Sequence, residues 1–429
     1  MRAVLVNYSH PDTPHVSAVR ATSFANALAE IGHQVLLLTR TLDDADPGMT
    51  VAEACVRVRE HQSPRPLHVG IRPIPGNPVI RTTKQQPRSL LSRTKTAYNL
   101  LRHGGVYPNW VTGARPFISV LARTFEPDVI LATFIPTDSL VIAQQLGRAS
   151  DCPWLIDFKD AWRWALPGVA RRVLARRFGD AKHYTANSHY HADQATPWFP
   201  HRPEVIYDGI SQEFLVTTHE GEPKQAYRIV LVGSVYRRQH LLQFLSGLRL
   251  WLSRLPEIAR SSVEFAYAGG DVALVEACVR ELDLHRLCQV AVKGFLPLPQ
   301  LAQLCRGASV NAYLWLPTTF HHKILELLAC GRPVLVVPGE YAEAKSLAAQ
   351  LGGHLILCKD EKAIADALTG IGSTASVGGV DSKGDQRTQF SWTAQARQLE
   401  RVLQRAIAMP RMGSNATLPV RHDGREIDN

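Results

Sequence analysis

The sequence predicts an α/β protein made of two consecutive doubly wound halves. Three observations carry that expectation. Short apolar runs alternate with helical periodicity twice over, from Ala3 to Tyr207 and again from Arg228 to Ile371. The runs are solidly apolar, as in AVLVN, DVILATF and VLVV, which suits parallel strands buried on both faces. At 429 residues the chain is long enough for two sizeable cores. Two such halves of similar size imply a cleft between them, and clefts between domains are preferred ligand sites.

The first half opens with a strand at Ala3–Asn7, a loop broken by Pro11 and Pro14, and a helix from Ser17, its expected cap, to Ile31. Val19, Phe24, Ala27, Leu28 and Ile31 form the expected inward stripe of that helix. Gly32 ends it, and Gln34–Leu38 is the next strand. The helix start, with its free N–H groups, faces the loop as a potential anion site. The loop carries no GxGxxG and no glycine, so this is not the usual dinucleotide fingerprint. Asp44-Ala45-Asp46 has the spacing of a pair holding a metal bound to a diphosphate, yet its Asp-rich setting beside Pro47 and Gly48 reads as a solvated turn. From His61 to Phe125 the chain is rich in Pro and Gly at first and then helical over Ser89–Leu101. A strand at Asp128–Phe134, a helix at Asp138–Leu146 and a strand at Trp154–Asp157 follow. That last strand runs into Phe158-Lys159-Asp160-Ala161-Trp162. Acidic residues at such a C-terminal strand end lie where α/β sheets bind ligands. Tyr184–Ala186 and Val205–Tyr207 complete the half.

Gln212–Ala226 is polar and reads as a linker. The second half begins with a strand at Arg228–Val232, ends it at Gly233-Ser234, and continues through Arg237-Arg238 into a helix over His240–Leu255. Strands at Val263–Ala268, Gln289–Val292, Val310–Leu314, Val334–Val337 and His354–Leu357 follow with helices between them. Within Thr319–Gly339, His321–Cys330 has the spacing of a short helix, Gly331 sits where positive φ is wanted, and Pro333 forbids continuation. Lys323 and Glu326 share a face of that helix, three residues apart. The pair reads either as a surface ion pair or as a phosphate contact beside a carboxylate for ribose hydroxyls, and nothing local decides. Ser373–Gln386 is expected to be mobile, Trp392–Ala406 to be a last helix and Met409–Asn429 to be disordered.

The formal charge is +10. His61–Phe125 contains no Asp or Glu but includes Arg72, Arg81, Lys84, Arg88, Arg93, Lys95 and Arg102, and Arg171, Arg172, Arg176 and Arg177 form a second cluster. Such surfaces attract phosphates in nucleic acid, lipid headgroups or an anionic substrate. Nucleic acid is the poorest of these, because no aromatic platform is interleaved with the charge. Ser89–Leu101 alternates Leu and Tyr with basic residues, as a helix lying on an anionic membrane requires. No apolar run reaches the roughly 20 residues of a span, and Arg2 leads directly into a strand, with no signal peptide expected. Seven scattered cysteines without ligand spacing suit a reducing, cytoplasmic setting and no structural zinc.

Several landmarks fall in one order. NYSHPDTPHVSAVRATSFANALAEIGHQVLLLT, DVILATF, PWLIDFKDAW, ANSHYHAD, VIYDGISQEF, HHKILELLACGRPVL and FSWTAQARQLERVLQRA together resemble the family 4 retaining glycosyltransferases of GT-B fold. The Asp157–Trp162 stretch is similar to the Asp-x-Arg-Asp-x-Trp of a bacterial subgroup, with Lys159 for Arg. The resemblance spans residues 1–408. It implies two Rossmann-like domains facing across a cleft: an acceptor domain at 1–211, a donor domain at 212–390, a helix at 391–408 crossing back to the first domain, and a tail at 409–429. It implies transfer of a sugar from a nucleoside-diphosphate donor to a saccharide or lipid-linked acceptor with retention, in glycan or cell-surface polysaccharide synthesis. No cofactor and no metal are implied. The protein would be cytoplasmic, with an anionic inner membrane face as a further partner.

By the same resemblance, Asp160 and His15 are the catalytic candidates, with His10 as the alternative contact to the acceptor. Gly233, Arg237, Arg238, His240, Thr318, His322, Lys323 and Glu326 are the donor-binding candidates. Glu326 would hold the ribose hydroxyls, Lys323 would stand near the phosphates, and Arg237 or Arg238 would clamp the diphosphate. Three departures stand out. Thr318 replaces the first Glu of the family's Glu-x7-Glu pair, which touches the transferred sugar. RRQHLLQF offers His240 where the family has a Lys, and the first loop lacks the usual glycines. A sugar-nucleotide epimerase of the same fold and a non-catalytic sugar-nucleotide-binding protein are the competing readings.

Overall fold

The structure is a computed structural model that describes residues 1–13, 15–62, 64–74, 90–215, 227–373 and 384–409. Seven strands form the first sheet: β1 (Arg2–Val6), β2 (Gln34–Arg40), β3 (Leu67–Ile71), β4 (Val129–Phe134), β5 (Trp154–Phe158), β6 (His183–Ala186) and β7 (Glu204–Val205). Their order is β3-β2-β1-β4-β5-β6-β7, every pair parallel. Six form the second: β8 (Tyr227–Val232), β9 (Val263–Ala268), β10 (Gln289–Gly294), β11 (Val310–Trp315), β12 (Val334–Pro338) and β13 (Leu355–Leu357). Their order is β10-β9-β8-β11-β12-β13, again all parallel. Central strands such as β4 are buried along their whole length, which is why they read as unbroken apolar runs. The strand order reverses between β1 and β4 in one sheet and between β8 and β11 in the other. The C-terminal strand ends at those two points open a crevice, the usual ligand position in doubly wound sheets.

The last helix, Trp392–Ala408, crosses back to the first domain. Ser391 Oγ caps it by accepting from Ala394 N at 3.2 Å. Its Ala396, Leu399, Val402, Leu403 and Ala406 share one core with Ala3, Leu5, Phe24, Leu28 and Val129. The crossover needs a glycine: a Cβ on Gly209 would lie 2.4 Å from the Trp392 ring. Beside it, Ile210 N donates to Phe390 O at 2.7 Å.

The elements differ from the expectation in specific places. The first helix is Val16–Glu30, and its cap is His15, whose side chain accepts from Ser17 N. Ser17 lies inside the helix and donates to Asn7 Oδ1 at 2.8 Å. Val19 is 51 % exposed; Arg20, one residue on, occupies the buried stripe. Two elements escaped the reading of the acid-free stretch: β3, short and preceded by Pro66, and the helix Pro108–Thr124, which carries Gly113 and Pro116 inside it. Gly113 is there because a Cβ would meet the Arg72 carbonyl at 2.4 Å. Gly331 does take a positive φ, +68°. The 40–50 loop is a hydrogen-bonded turn, with Asp44 paired to Arg40 and Asp46 Oδ1 accepting from Gly48 N at 2.9 Å. Arg81, Lys84, Arg88, the side chains of Arg93 and Lys95, and the stretches 216–226, 374–383 and 410–429 lie outside the described residues. Among the described residues no helix is long and apolar enough to cross a membrane.

Candidate functional site

The second domain's wall of the crevice starts at the end of β8. Gly233 leaves the strand with φ +100°. Its carbonyl accepts from the Tyr267 hydroxyl at 2.8 Å, and Val235 N donates to Asp271 Oδ2 at 2.8 Å. The loop from Gly233 to Arg237 is therefore pinned from β9 and the turn after it. It delivers Arg237, exposed, to the N-terminus of the helix Arg238–Ser253. Arg238 points elsewhere, into an ion pair with Glu281. Half-buried His240 lies within the field of Arg237; burial and that charge lower its pKa.

The end of β11 supplies the adjoining wall. Trp315 Nε1 donates to Thr319 O at 2.9 Å and fixes the loop that leads to the helix Lys323–Ala329. His321 packs edge-on against Trp315 with centroids 4.2 Å apart and stacks on His322 at 4.8 Å. Burial pushes the pKa of His321 well below its ordinary value. Tyr236, mostly exposed, sets its ring 5.3 Å from Trp315. Lys323 reaches across to β8: a Cβ on Gly233 would sit 2.7 Å from Lys323 Nζ. Lys323 and Glu326 are too far apart for an ion pair, so the surface-pair alternative does not describe them. Burial lowers the Lys323 pKa while Glu326 opposes the shift. Burial raises the Glu326 carboxyl to about 7 against the pull of Lys323. Glu326 Oε1 has a long contact of 3.5 Å from Ser211 Oγ. The arrangement is a half-buried, unpaired ammonium beside a bare backbone turn, with a carboxylate one helical turn away. It suits a phosphate and a pair of hydroxyls.

The first domain faces this wall with the β5 end. Lys159, buried, pairs with the half-exposed Asp160. The Asp160 charge is felt by both His191 of its own domain and Tyr236 of the other, which locates it in the crevice. Asp157, at the end of the same strand, is buried against Arg20. Burial works to raise its carboxyl, but Arg20 outweighs that and holds it below the usual range. Arg20 Nε and Nη2 donate to the two Asp157 oxygens at 2.8 and 2.7 Å, and Thr185 Oγ1 donates to Oδ1 at 2.8 Å. His15 serves as the cap of the first helix, and His10 packs against His68 at 4.7 Å. Thr318 is exposed on the loop rim.

The structure thus gathers Gly233, Arg237, His240, His322, Lys323 and Glu326 around one crevice, with Asp160 opposite, and turns Arg238 away. Four polar residues escaped the sequence reading. Arg20 has a signal: it is four residues before Phe24 and seven before Ala27, in the phase of the buried stripe. Asp208, which accepts from Arg20 Nη1 at 2.6 Å, has none, because its partner is 188 residues away in sequence. Glu340 and Glu343 follow β12 unannounced. Burial raises Glu340 to about 9, and its carboxyl accepts from the Tyr313 hydroxyl at 2.8 Å. Among the described residues no group of three His, Cys, Asp or Glu side chains is placed to hold a metal.

This fold is GT-B: two Rossmann-like parallel-sheet domains with a crevice between them. Residues 226–372, the second domain, match the family model described as glycosyl transferases group 1. No curated protein matches the chain by sequence. Among solved structures, sucrose-phosphate synthase from Thermosynechococcus elongatus is 17 % identical, with TM-score 0.67 over 95 % of this chain and 98 % of that one. HepE from Anabaena, solved with UDP-glucose, is 16 % identical, with TM-score 0.59 over 94 % and 99 %. The UDP-GlcNAc 2-epimerase of Methanocaldococcus jannaschii is 9 % identical, with TM-score 0.54 over 94 % and 100 %.

Proposed function

We propose that the protein is a glycosyltransferase that takes a sugar from a nucleoside-diphosphate donor, held by the second domain, and passes it with retention to a saccharide or lipid-linked acceptor on the first, in glycan or cell-surface polysaccharide synthesis. The observation that carries this reading is the unpaired Lys323 ammonium over the glycine turn at the end of β8, with Glu326 one helical turn behind it. A diphosphate gains charge as the sugar departs. Lys323, Arg237 and the N-terminus of the helix Arg238–Ser253 are the groups that would stabilise that charge, without a metal. Glu326 would hold the ribose hydroxyls. Asp160, from the opposite wall, would meet the reacting sugar or the incoming hydroxyl. The match of residues 226–372 to glycosyl transferases group 1 and the UDP-glucose bound by HepE agree with this assignment. The cytoplasm and the inner membrane face are the proposed setting.

A thermal-shift panel of UDP, GDP, ADP and their glucose and N-acetylglucosamine conjugates tests it. A ligand at about 100 times its Kd stabilises by about 2.7 kcal/mol, so a true donor should raise Tm by several degrees. The Lys323→Ala variant should lose most of that shift. No shift with any nucleotide would overturn the reading. Release of a free 2-epimer without acceptor would instead favour the epimerase.

A further inference from the structure

Asp208 belongs to the first domain, immediately beyond Tyr207, and its side chain is 7 % exposed. Its Oδ1 is held by Arg20 Nη1 at 2.6 Å. Its Oδ2 is buried without any hydrogen-bond partner. A buried carboxylate oxygen with no donor is uncommon enough to ask what it is for. The group it faces is His322 Nδ1 of the second domain, 3.7 Å away. Arg20 holds the carboxylate in place, since its Nε and Nη2 donors are committed to Asp157 and to the Ile206 carbonyl at 3.0 Å.

We infer that Asp208 is a positioning residue for the donor site, accepting a hydrogen bond across the domain boundary from His322 Nδ1 and so fixing the tautomer of the ring that precedes Lys323. This rests on the donor-site reading given above. The separation of 3.7 Å is longer than a hydrogen bond, and such contacts commonly tighten when a ligand draws a site together. The two groups sit on different domains, so a small closure is enough. With the proton on Nδ1, Nε2 is bare on the side of the ring away from Asp208, ready to accept a hydroxyl of the bound sugar. The surroundings favour the neutral ring: burial lowers its pKa, Lys323, Lys159 and Arg20 lower it further, and only Asp208 opposes them. A neutral ring has one proton, and the Asp208 carboxylate decides which nitrogen carries it.

Asp208→Asn keeps the shape but presents an amide. With its oxygen held by Arg20, its nitrogen donates to His322 Nδ1 and forces the proton to Nε2. The measurement is long-range 1H–15N correlation on histidine-labelled full-length protein, with His322→Gln to assign the signal, free and with saturating UDP. We expect the Nδ1-protonated pattern for His322 in the wild type and the Nε2-protonated pattern in Asp208→Asn. An Nε2-protonated ring in the wild type under both conditions overturns the inference even if Asp208→Asn fails to fold. So does a tautomer that Asp208→Asn leaves unmoved. The tautomer is readable whether or not any nucleotide binds, so failure of the donor-site reading would show separately, in the thermal-shift panel. On the best donor of that panel, Asp208→Asn should lower kcat/KM at least tenfold, and by much less in a His322→Ala background. Equal effects in both backgrounds would mean that Asp208 does not act through His322.

Discussion

Glu326 decides most at the scale of single residues, because its carboxyl is poised. Burial raises it to about 7. In the unfolded chain it titrates near the ordinary value of 4.5. Its folded-state pKa is the higher of the two, so the folded protein prefers it protonated, and its contribution to stability falls as pH rises from about 4.5 through 7. Ligand binding runs the other way, since ribose hydroxyls donate to the ionised form. Nucleotide affinity should weaken by approaching tenfold between pH 8 and pH 6, as the carboxylate takes up its proton. Glu326→Gln should bind weakly and show no such trend, while gaining Tm relative to the wild type as pH rises from 5 to 8. A calorimetric titration at three pH values reads the first effect. A pH-independent wild type would remove Glu326 from the site. Lys323 and Glu326 were legible in the sequence as a pair on one helical face, since both lie within one element. Their surroundings are not legible: the Gly233 turn reaches Lys323 only through the pairing of β8 with β11, and Asp208 faces His322 only because two domains meet.

At the scale of elements, the turn after β8 is the most constrained. Gly233 carries φ +100°, and a Cβ there would crowd Lys323 Nζ to 2.7 Å. Gly233→Ala therefore costs backbone strain of about 1–3 kcal/mol and drives the lysine out of its position. We expect a drop in Tm and about tenfold weaker nucleotide binding. The binding defect should shrink in a Lys323→Ala background, where nothing remains to be displaced. Equal defects in both backgrounds would assign the loss to the loop backbone alone. The same turn shows what periodicity carries and what it does not. Strands β1, β4, β8, β11 and β12 were readable because burial on both faces leaves solid apolar runs. The first helix is legible in extent and in phase, with Phe24, Ala27 and Leu28 buried as the stripe requires; only its first position differs, where Val19 is exposed and Arg20 takes the buried place. Periodicity places Arg20 on the buried face, but what makes a guanidinium tolerable there, the carboxylates of Asp157 and Asp208, comes from distant parts of the chain. The helix Pro108–Thr124 was hidden by Gly113 and Pro116, both of which normally break helices.

On the scale of the whole molecule, the two domains are tied together as well as apposed. The Glu343 carboxylate of the second accepts from His189 N at 2.8 Å and Tyr190 N at 3.1 Å, at the start of a first-domain helix, and from the Tyr207 hydroxyl at 2.7 Å. The returning C-terminal helix is a second tie. Elsewhere in the first domain the helices Leu90–His103 and Gly168–Arg177 pack against each other, joined where Arg177 covers Gly104. Val169 is 75 % exposed and Tyr98 60 %, with Leu101 and Val173 also exposed, and Arg102, Arg172 and Arg176 stand among them. Exposed apolar side chains mixed with cations are the composition of a surface that rests on anionic lipid. Each cation near such a surface contributes about 1 kcal/mol, so a few together give reversible attachment. The protein should therefore sediment with liposomes containing anionic lipid but not with neutral ones, and salt should release it, because exposed charges are screened beyond about 10 Å at 0.1 M. The triple variant Arg102→Glu, Arg172→Glu, Arg176→Glu should stay in solution while its thermal shift with nucleotide matches the wild type, since none of the three is a donor-binding candidate. Indifference to both liposome types would leave this face to a soluble anionic saccharide. Loss of nucleotide binding in the variant would show that the two faces are not independent.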